Sequence, residues 1–266
     1  MKVVKLNDTG KEVLKLKELL QKQGVNVVVS ETFDEATKTA VVAFQKECGL
    51  DADGIVGYRT WEALLLNNAS SGERLTNEDF ELVAALLDVE LAALKAVQQV
   101  ETGGRGGFFA PGKPAILFEG HIFWNELKKR GIDPESHRAG NEHILYPRWE
   151  KGHYKGGLGE YDRLEQARRI NREAADASAS WGMFQIMGFN YAACGEKSVT
   201  GLVNGMVKSE LNQLIFAGRF IRQSKNMYIA LQNKDWATFA KYYNGPRYAE
   251  NKYDEKLAAA YNKYKL

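Results

Sequence analysis

Cysteine is nearly absent from this chain: Cys48 and Cys194 are its two thiols, far apart and in unrelated surroundings. A disulfide framework is therefore excluded, and free thiols are expected. Histidine is almost as sparse. His121, His137, His143 and His153 form no His-Glu-x-x-His or His-x-x-x-Asp element, so the ligand spacing of a zinc amidase or peptidase is missing and no metal or cofactor is expected. No histidine follows Cys194, and Cys48 belongs to a separate N-terminal segment, so the usual nucleophile-then-base order of a cysteine peptidase is also absent. No window approaches the 18 apolar residues of a membrane span, and Met1 to Asp8 carries a charge every few residues, without the apolar run of a secretory signal. Nor is there a block of one charge. Residues 1 to 70 hold 9 Lys and Arg against 10 Asp and Glu, leaving 27 against 24 for the rest and a net charge of +2. Neither part is a nucleic-acid-binding block, and no stable membrane association is expected.

What is present is a long series of helical patterns. At 266 residues the chain is long enough for two domains with real cores. Val13, Leu14, Leu16, Leu19 and Leu20 predict a first helix stopped near Gly24; Asp34 is a candidate cap for a second that runs through Phe44 to Gly49. Asp53-Gly54-Ile55-Val56-Gly57 predicts a turn, after which Thr60 is expected to cap a short helix with Trp61, Leu64 and Leu65. The polar residues 69–73 are the expected linker between domains spanning 1–68 and 74–266. Beyond it, Thr76 and Asp88 are expected to cap two helices leading to Glu101. Further helices are predicted over residues 121–130, 161–177, 199–222, 227–232, 236–242 and 248–264, with a strand in the apolar run that ends at Phe118 and a loop in the glycine-rich stretch from Lys155. The expected fold class is mainly α: a three-helix N-terminal bundle followed by a larger helical domain.

Three short segments carry the chemistry. Val100-Glu101-Thr102-Gly103-Gly104 closes an apolar helix, Ser180-Trp181-Gly182-Met183-Phe184-Gln185-Ile186 follows downstream, and Tyr242-Tyr243-Asn244-Gly245-Pro246 comes third. In this order they resemble the three motifs of the goose-type lysozyme and soluble lytic transglycosylase superfamily, whose members cut peptidoglycan glycan strands. Through "LKAVQQVETGGRGGF", "ILFEGHIFW", "YDRLEQA", "ASWGMFQIMGFNY", "SELNQL" and the segment from Asp235, nearly all of the C-terminal part resembles the N-acetylmuramidase domain of endolysins. The N-terminal "FDEATKTAVVAFQKECGLDADGIVGYRTWEALL" resembles a peptidoglycan-binding domain of the PG_binding_1 type. Together these imply a modular phage endolysin with a lysozyme-like fold. It is expected to be a monomer held in the host cytoplasm until a holin releases it to the periplasm. The resemblance implies hydrolysis of the β-1,4 bond between N-acetylmuramic acid and N-acetylglucosamine. A lytic transglycosylase giving 1,6-anhydro products, or a non-catalytic wall-binding or tail protein, are the alternatives.

Glycosidic cleavage needs a proton on the leaving oxygen, from a carboxylic acid whose pKa is raised toward the working pH. Glu101 suits this role: a helix C-terminus disfavours its charge, and an apolar face lies behind it. The glycines from Gly103 to Gly107 offer a backbone that can lie close to a sugar. Ser180, Gln185, Tyr243 and Asn244 are the implied substrate-binding residues, with Trp181, Met183 and Phe184 read as core. Glu119 is the candidate second carboxylate, its other reading being a structural pair with Arg163 or His121; Asp162, Glu142 and Glu160 are surface alternatives. In the N-terminal module, Asp53, Tyr58 and Arg59 are the candidate wall contacts.

Overall fold

The computed structural model describes residues 1–69 and 74–265. The expected linker at 69–73 therefore lies, apart from Ala69, outside the described residues. By packing, the chain divides into two units, one holding the N-terminal helices together with Thr76–Leu91 and the other holding Leu75 and the chain from Ala92 onward.

The first unit is built from α1 (Lys11–Lys22), α2 (Glu35–Glu47), α3 (Tyr58–Asn68) and α4 (Asn77–Leu87). Its core is the apolar set read from the sequence: Val13, Leu16, Leu20, Phe44, Val56, Trp61 and Leu64 are buried, with Phe33 and Val41 beside them. Asp34 caps α2, accepting from the Thr37 hydroxyl at 2.6 Å and the Thr37 N–H at 2.8 Å, and these bonds hold its carboxyl down at about 2. The buried Gln45 ties the Asp-Gly turn to α2. Its carbonyl oxygen accepts from the Gly54 N–H (2.9 Å), and its amide donates to Asp53, to the Ile55 carbonyl and to Thr60. Thr60 is thus not the expected cap. α3 starts three residues earlier, after Gly57, and Thr60 is buried as a partner of Gln45.

Thr76 and Asp79 form a reciprocal capping box at the start of α4. The expected boundary at residue 68 differs from the packing here. α4 lies against α3, Glu78 pairs with Lys15, and the Met1 ammonium donates to the Ala85 carbonyl. Asp88, expected to cap the next helix, instead ends α4 in the left-handed region at φ 56.

The second unit holds α5 (Leu91–Thr102), α6 (Gly120–Lys129), α7 (Gly159–Ile170), α8 (Arg172–Ala177), α9 (Val199–Lys208), α10 (Glu210–Gln223), α11 (Lys225–Asn233), α12 (Trp236–Tyr243) and α13 (Tyr253–Lys265). Among the described residues, five short strands accompany them. β1 (Phe108–Ala110) pairs with β2 (Lys113–Pro114); β3 (Ile116–Phe118), β4 (Ala179–Trp181) and β5 (Ile186–Met187) form an antiparallel sheet in which Leu117 faces Ser180 and Ser180 faces Met187. Two of the long predicted helices are broken. At Asn171 (φ −157) and Ser209 (φ −166) the backbone extends and the side chain accepts a following N–H, from Ala174 and Asn212 respectively, so each starts a new helix. The last predicted helix starts later, at Tyr253, after a 3-10 turn over Tyr248–Asn251. Both thiols are free, and among the described residues no helix is long and apolar enough to cross a membrane.

A fully buried ion pair organises the region beside β3. Glu160 and Arg163, one turn apart on α7, meet at 2.8 Å with neither side chain exposed. Glu160 also accepts from the N–H groups of Lys155, Gly156 and Phe118, while Arg163 donates to the carbonyls of Phe118 and His143. The pair therefore ties the glycine-rich loop, β3 and the 143–146 segment into one knot. Glu160, expected at the surface, is an internal structural acid because so many backbone groups need its oxygens.

Candidate active site

The end of α5 is closed by its own last residue. The Thr102 hydroxyl donates to the Gln98 carbonyl (2.8 Å) and accepts from the Gly104 N–H (2.9 Å); Gly103 and Gly104, at φ 59 and 80, turn the chain out of the helix. Glu101 lies one residue before this closure, half-buried. Burial pushes its carboxyl above the ordinary carboxylate range, and a hydrogen bond from Asn244 Nδ2 to Oε1 (3.1 Å) draws it back only in part.

Asn244 is placed by α12, whose final residue is Tyr243; the Asn244 N–H caps the helix end on the Ala240 carbonyl. Tyr243 stacks on Phe239 with ring centres 5.3 Å apart, and its hydroxyl donates to the Phe184 carbonyl at 3.1 Å. Burial and the Glu101 carboxylate both push the Tyr243 phenol up, and they act in the same way on Tyr253. The third motif accordingly holds the first through Asn244 and the second through Tyr243. Tyr253, at the start of α13, was not found from the sequence, because nothing in its local pattern separates it from the other tyrosines nearby.

The second motif forms the turn between β4 and β5. Gly182 (φ 71) and Gln185 (φ 48) both adopt the left-handed region, which curls Gln185 back over its own turn. Its carbonyl oxygen accepts from the Ser180 hydroxyl (2.7 Å), and its amide donates to the carbonyls of Gly182 (2.8 Å) and Ala115 (3.3 Å). Ser180 is itself buried. Ser180 and Gln185, expected to bind substrate, bond to each other and hold the turn whose Phe184 carbonyl anchors Tyr243. Trp181, Met183 and Phe184 are buried, so none of them is an open platform.

Two glycines of the run, Gly106 and Gly107, are needed for packing. A Cβ on Gly107 would lie 2.0 Å from Gln213 Oε1, and one on Gly106 would lie 2.7 Å from Glu210 Oε1. The space they leave is occupied by α10. Buried Glu210 accepts from the N–H groups of Gly107 (2.7 Å) and Leu75 (2.8 Å); Gln213 accepts from the Met183 N–H (2.7 Å) and donates to the carbonyls of Met206 and Gly107. Gln213 thus couples the loop after Glu101 to the β4–β5 turn, and Glu210 couples the same loop to Leu75. They were missed in the sequence, where their signal was a cluster of polar residues just after the Ser209 break.

Glu119 has other partners. Its Oε2 accepts from the Tyr154 hydroxyl (2.7 Å), with His121 Nδ1 3.4 Å away. Of the two structural partners expected, His121 is adjacent and Arg163 belongs to Glu160. Asp162 and Glu142 are exposed. In the first unit, Asp53 is tied to its turn by Gln45 and the Ile55 N–H, Tyr58 donates to Glu62, and Arg59 is exposed.

The family model described as N-acetylmuramidase matches residues 90–265, and that of a peptidoglycan binding domain matches residues 9–64. Among solved structures, the crystal structure of the Burkholderia AP3 phage endolysin is similar, with 39% sequence identity, a TM-score of 0.66 and a match covering 99% of each chain.

Proposed function

From the premise that this chain belongs to the N-acetylmuramidase family, we propose that it is a phage endolysin that degrades host peptidoglycan as an N-acetylmuramidase, with Glu101 as its general acid. It hydrolyses the β-1,4 bond between N-acetylmuramic acid and N-acetylglucosamine, acting as a monomer that a holin admits to the wall. The observation that carries the assignment of Glu101 is its contact with Asn244: a half-buried carboxyl, raised by burial, is held in a fixed orientation by a neutral amide rather than neutralised by a cation. A neutral partner leaves the proton available. The test is release of soluble sugar from purified sacculi, with mass spectrometry of the fragments. Ordinary reducing ends are expected; fragments lighter by one water would identify a transglycosylase, and binding without release would leave a wall-binding protein.

Asn244 stabilises the charged form of Glu101, so Asn244→Ala should raise the carboxyl further. Glu101 then stays protonated to higher pH, and the alkaline limb of the activity profile should move upward while the maximal rate falls because the acid is less well oriented. An unmoved alkaline limb in a folded Asn244→Ala protein would argue against the contact.

The peptidoglycan-binding module is proposed to be the first packing unit, including α4. A fragment of residues 1–89 should sediment with sacculi. One ending at residue 68 should melt lower by roughly 5 °C or more, because it removes a helix whose Phe80, Val83, Leu86 and Leu87 are buried. Equal melting temperatures would place the boundary at residue 68. Arg59, exposed beside the Asp-Gly turn, is the best placed of the three candidate wall contacts.

A further inference from the structure

Of the five tryptophans, Trp61, Trp124 and Trp181 are buried and Trp236 is half-buried, whereas Trp149 is 54% exposed. A single exposed aromatic needs no explanation by itself. This one is anchored. Its Nε1–H donates to the Tyr154 hydroxyl (3.0 Å), and that hydroxyl donates to Glu119 Oε2 (2.7 Å). Tyr154 is braced in turn by the buried Arg163 guanidinium, 5.4 Å from its ring centre. A chain of contacts thus runs from the Glu160–Arg163 pair out to an indole in solvent.

Two features of this chain point to a ligand. With its N–H engaged by Tyr154, the indole offers only carbon faces, and among the described residues no ring or cation stacks on either of them. Glu119 Oε1 accepts no hydrogen bond among the described residues, although the side chain is only 17% exposed. Because Tyr154 donates to it, the Glu119 carboxylate is an acceptor. An apolar plate beside an acceptor oxygen matches a pyranose, which has an apolar C–H face and hydroxyl donors around its rim.

We propose that Trp149 and Glu119 form a sugar subsite that takes an N-acetylglucosamine residue of the glycan strand, its C–H face on the indole and a hydroxyl donating to Glu119 Oε1. The free 3-hydroxyl selects this sugar over N-acetylmuramic acid, whose O3 carries the lactyl ether and has no proton to donate. The anchored ring gives the subsite its value, since little side-chain freedom is lost when the sugar arrives. The inference rests on the peptidoglycan reading above.

The test uses the full chain carrying Glu101→Gln, titrated with glycan strands from which an amidase has removed the stem peptides. Tryptophan emission should shift to the blue and saturate as water leaves the indole, and the shift should vanish when Trp149→Phe is added. In the otherwise unaltered enzyme, Trp149→Ala should raise KM roughly tenfold with kcat kept within about twofold, and Trp149→Phe should recover part of that loss. The melting temperature should not move, because the ring is exposed. No saturable shift, a shift that survives Trp149→Phe, or an unchanged KM in Trp149→Ala while the unaltered chain releases sugar would each overturn the subsite alone. If the unaltered chain releases no sugar from sacculi, the peptidoglycan reading falls and the subsite with it.

Discussion

Glu101→Gln should reduce sugar release from sacculi by roughly 10³-fold or more, since a positioned general acid contributes about 10² to 10⁴ and a carboxamide has no proton to give. The fold should survive. The Gln oxygen can still accept from Asn244, so the contact between the first and third motifs is retained. The stability change has a definite sign. A carboxyl whose pKa is raised in the folded state adds stability below its unfolded pKa, and that stability is lost as the pH rises through the folded value. Gln never ionises, so above that window the variant should melt at the same temperature as the unaltered chain or higher. Loss of activity with gained or unchanged stability is what separates an acid catalyst from a structural glutamate. Near-normal hydrolysis by a folded Glu101→Gln protein would remove the assignment.

Arg163→Met should have the largest effect on stability. It leaves the Glu160 charge buried without its counter-ion, at a cost of about 3 to 5 kcal/mol. In a domain of this size that corresponds to a fall in melting temperature of roughly 10 °C. Glycan binding should weaken as well, because Arg163 braces Tyr154, which positions both Glu119 and Trp149. Adding Glu160→Gln removes the stranded charge and should restore part of the loss, although the Arg163 bonds to the Phe118 and His143 carbonyls stay broken. A change of under about 2 °C in the single variant would show that the pair is not the knot described.

Features that depend on neighbours along the chain were legible from the amino-acid sequence alone. The helical patterns, the Asp34 and Thr76 caps and the apolar core of the first unit are local: each follows from residue spacing or from a side chain reaching an N–H three positions on. The placement of Glu101 at a glycine-rich helix end was legible as well, because it is a short-range pattern, and so was that of Tyr243 and Asn244 at the end of a helix. The breaks at Asn171 and Ser209 were not, since apolar periodicity continues through both and only the tertiary path makes the caps preferable to an unbroken helix. The tertiary structure also decided what the polar side chains do. Gln185 and Ser180 have the chemistry of sugar ligands, yet a left-handed backbone at Gln185 turns them onto each other. Glu160 has the composition of a surface acid, yet three backbone N–H groups and Arg163 from separate segments converge on it. Trp149 and Tyr154 lie 30 or more residues from Glu119 in sequence, so the chain of contacts joining them exists only after folding. Hydrogen bonds are short-ranged and directional, whereas sequence order records only what is near along the backbone. Which donor meets which acceptor across 35 residues, as Tyr154 meets Glu119, or across 143, as Asn244 meets Glu101, is therefore set by the packed fold.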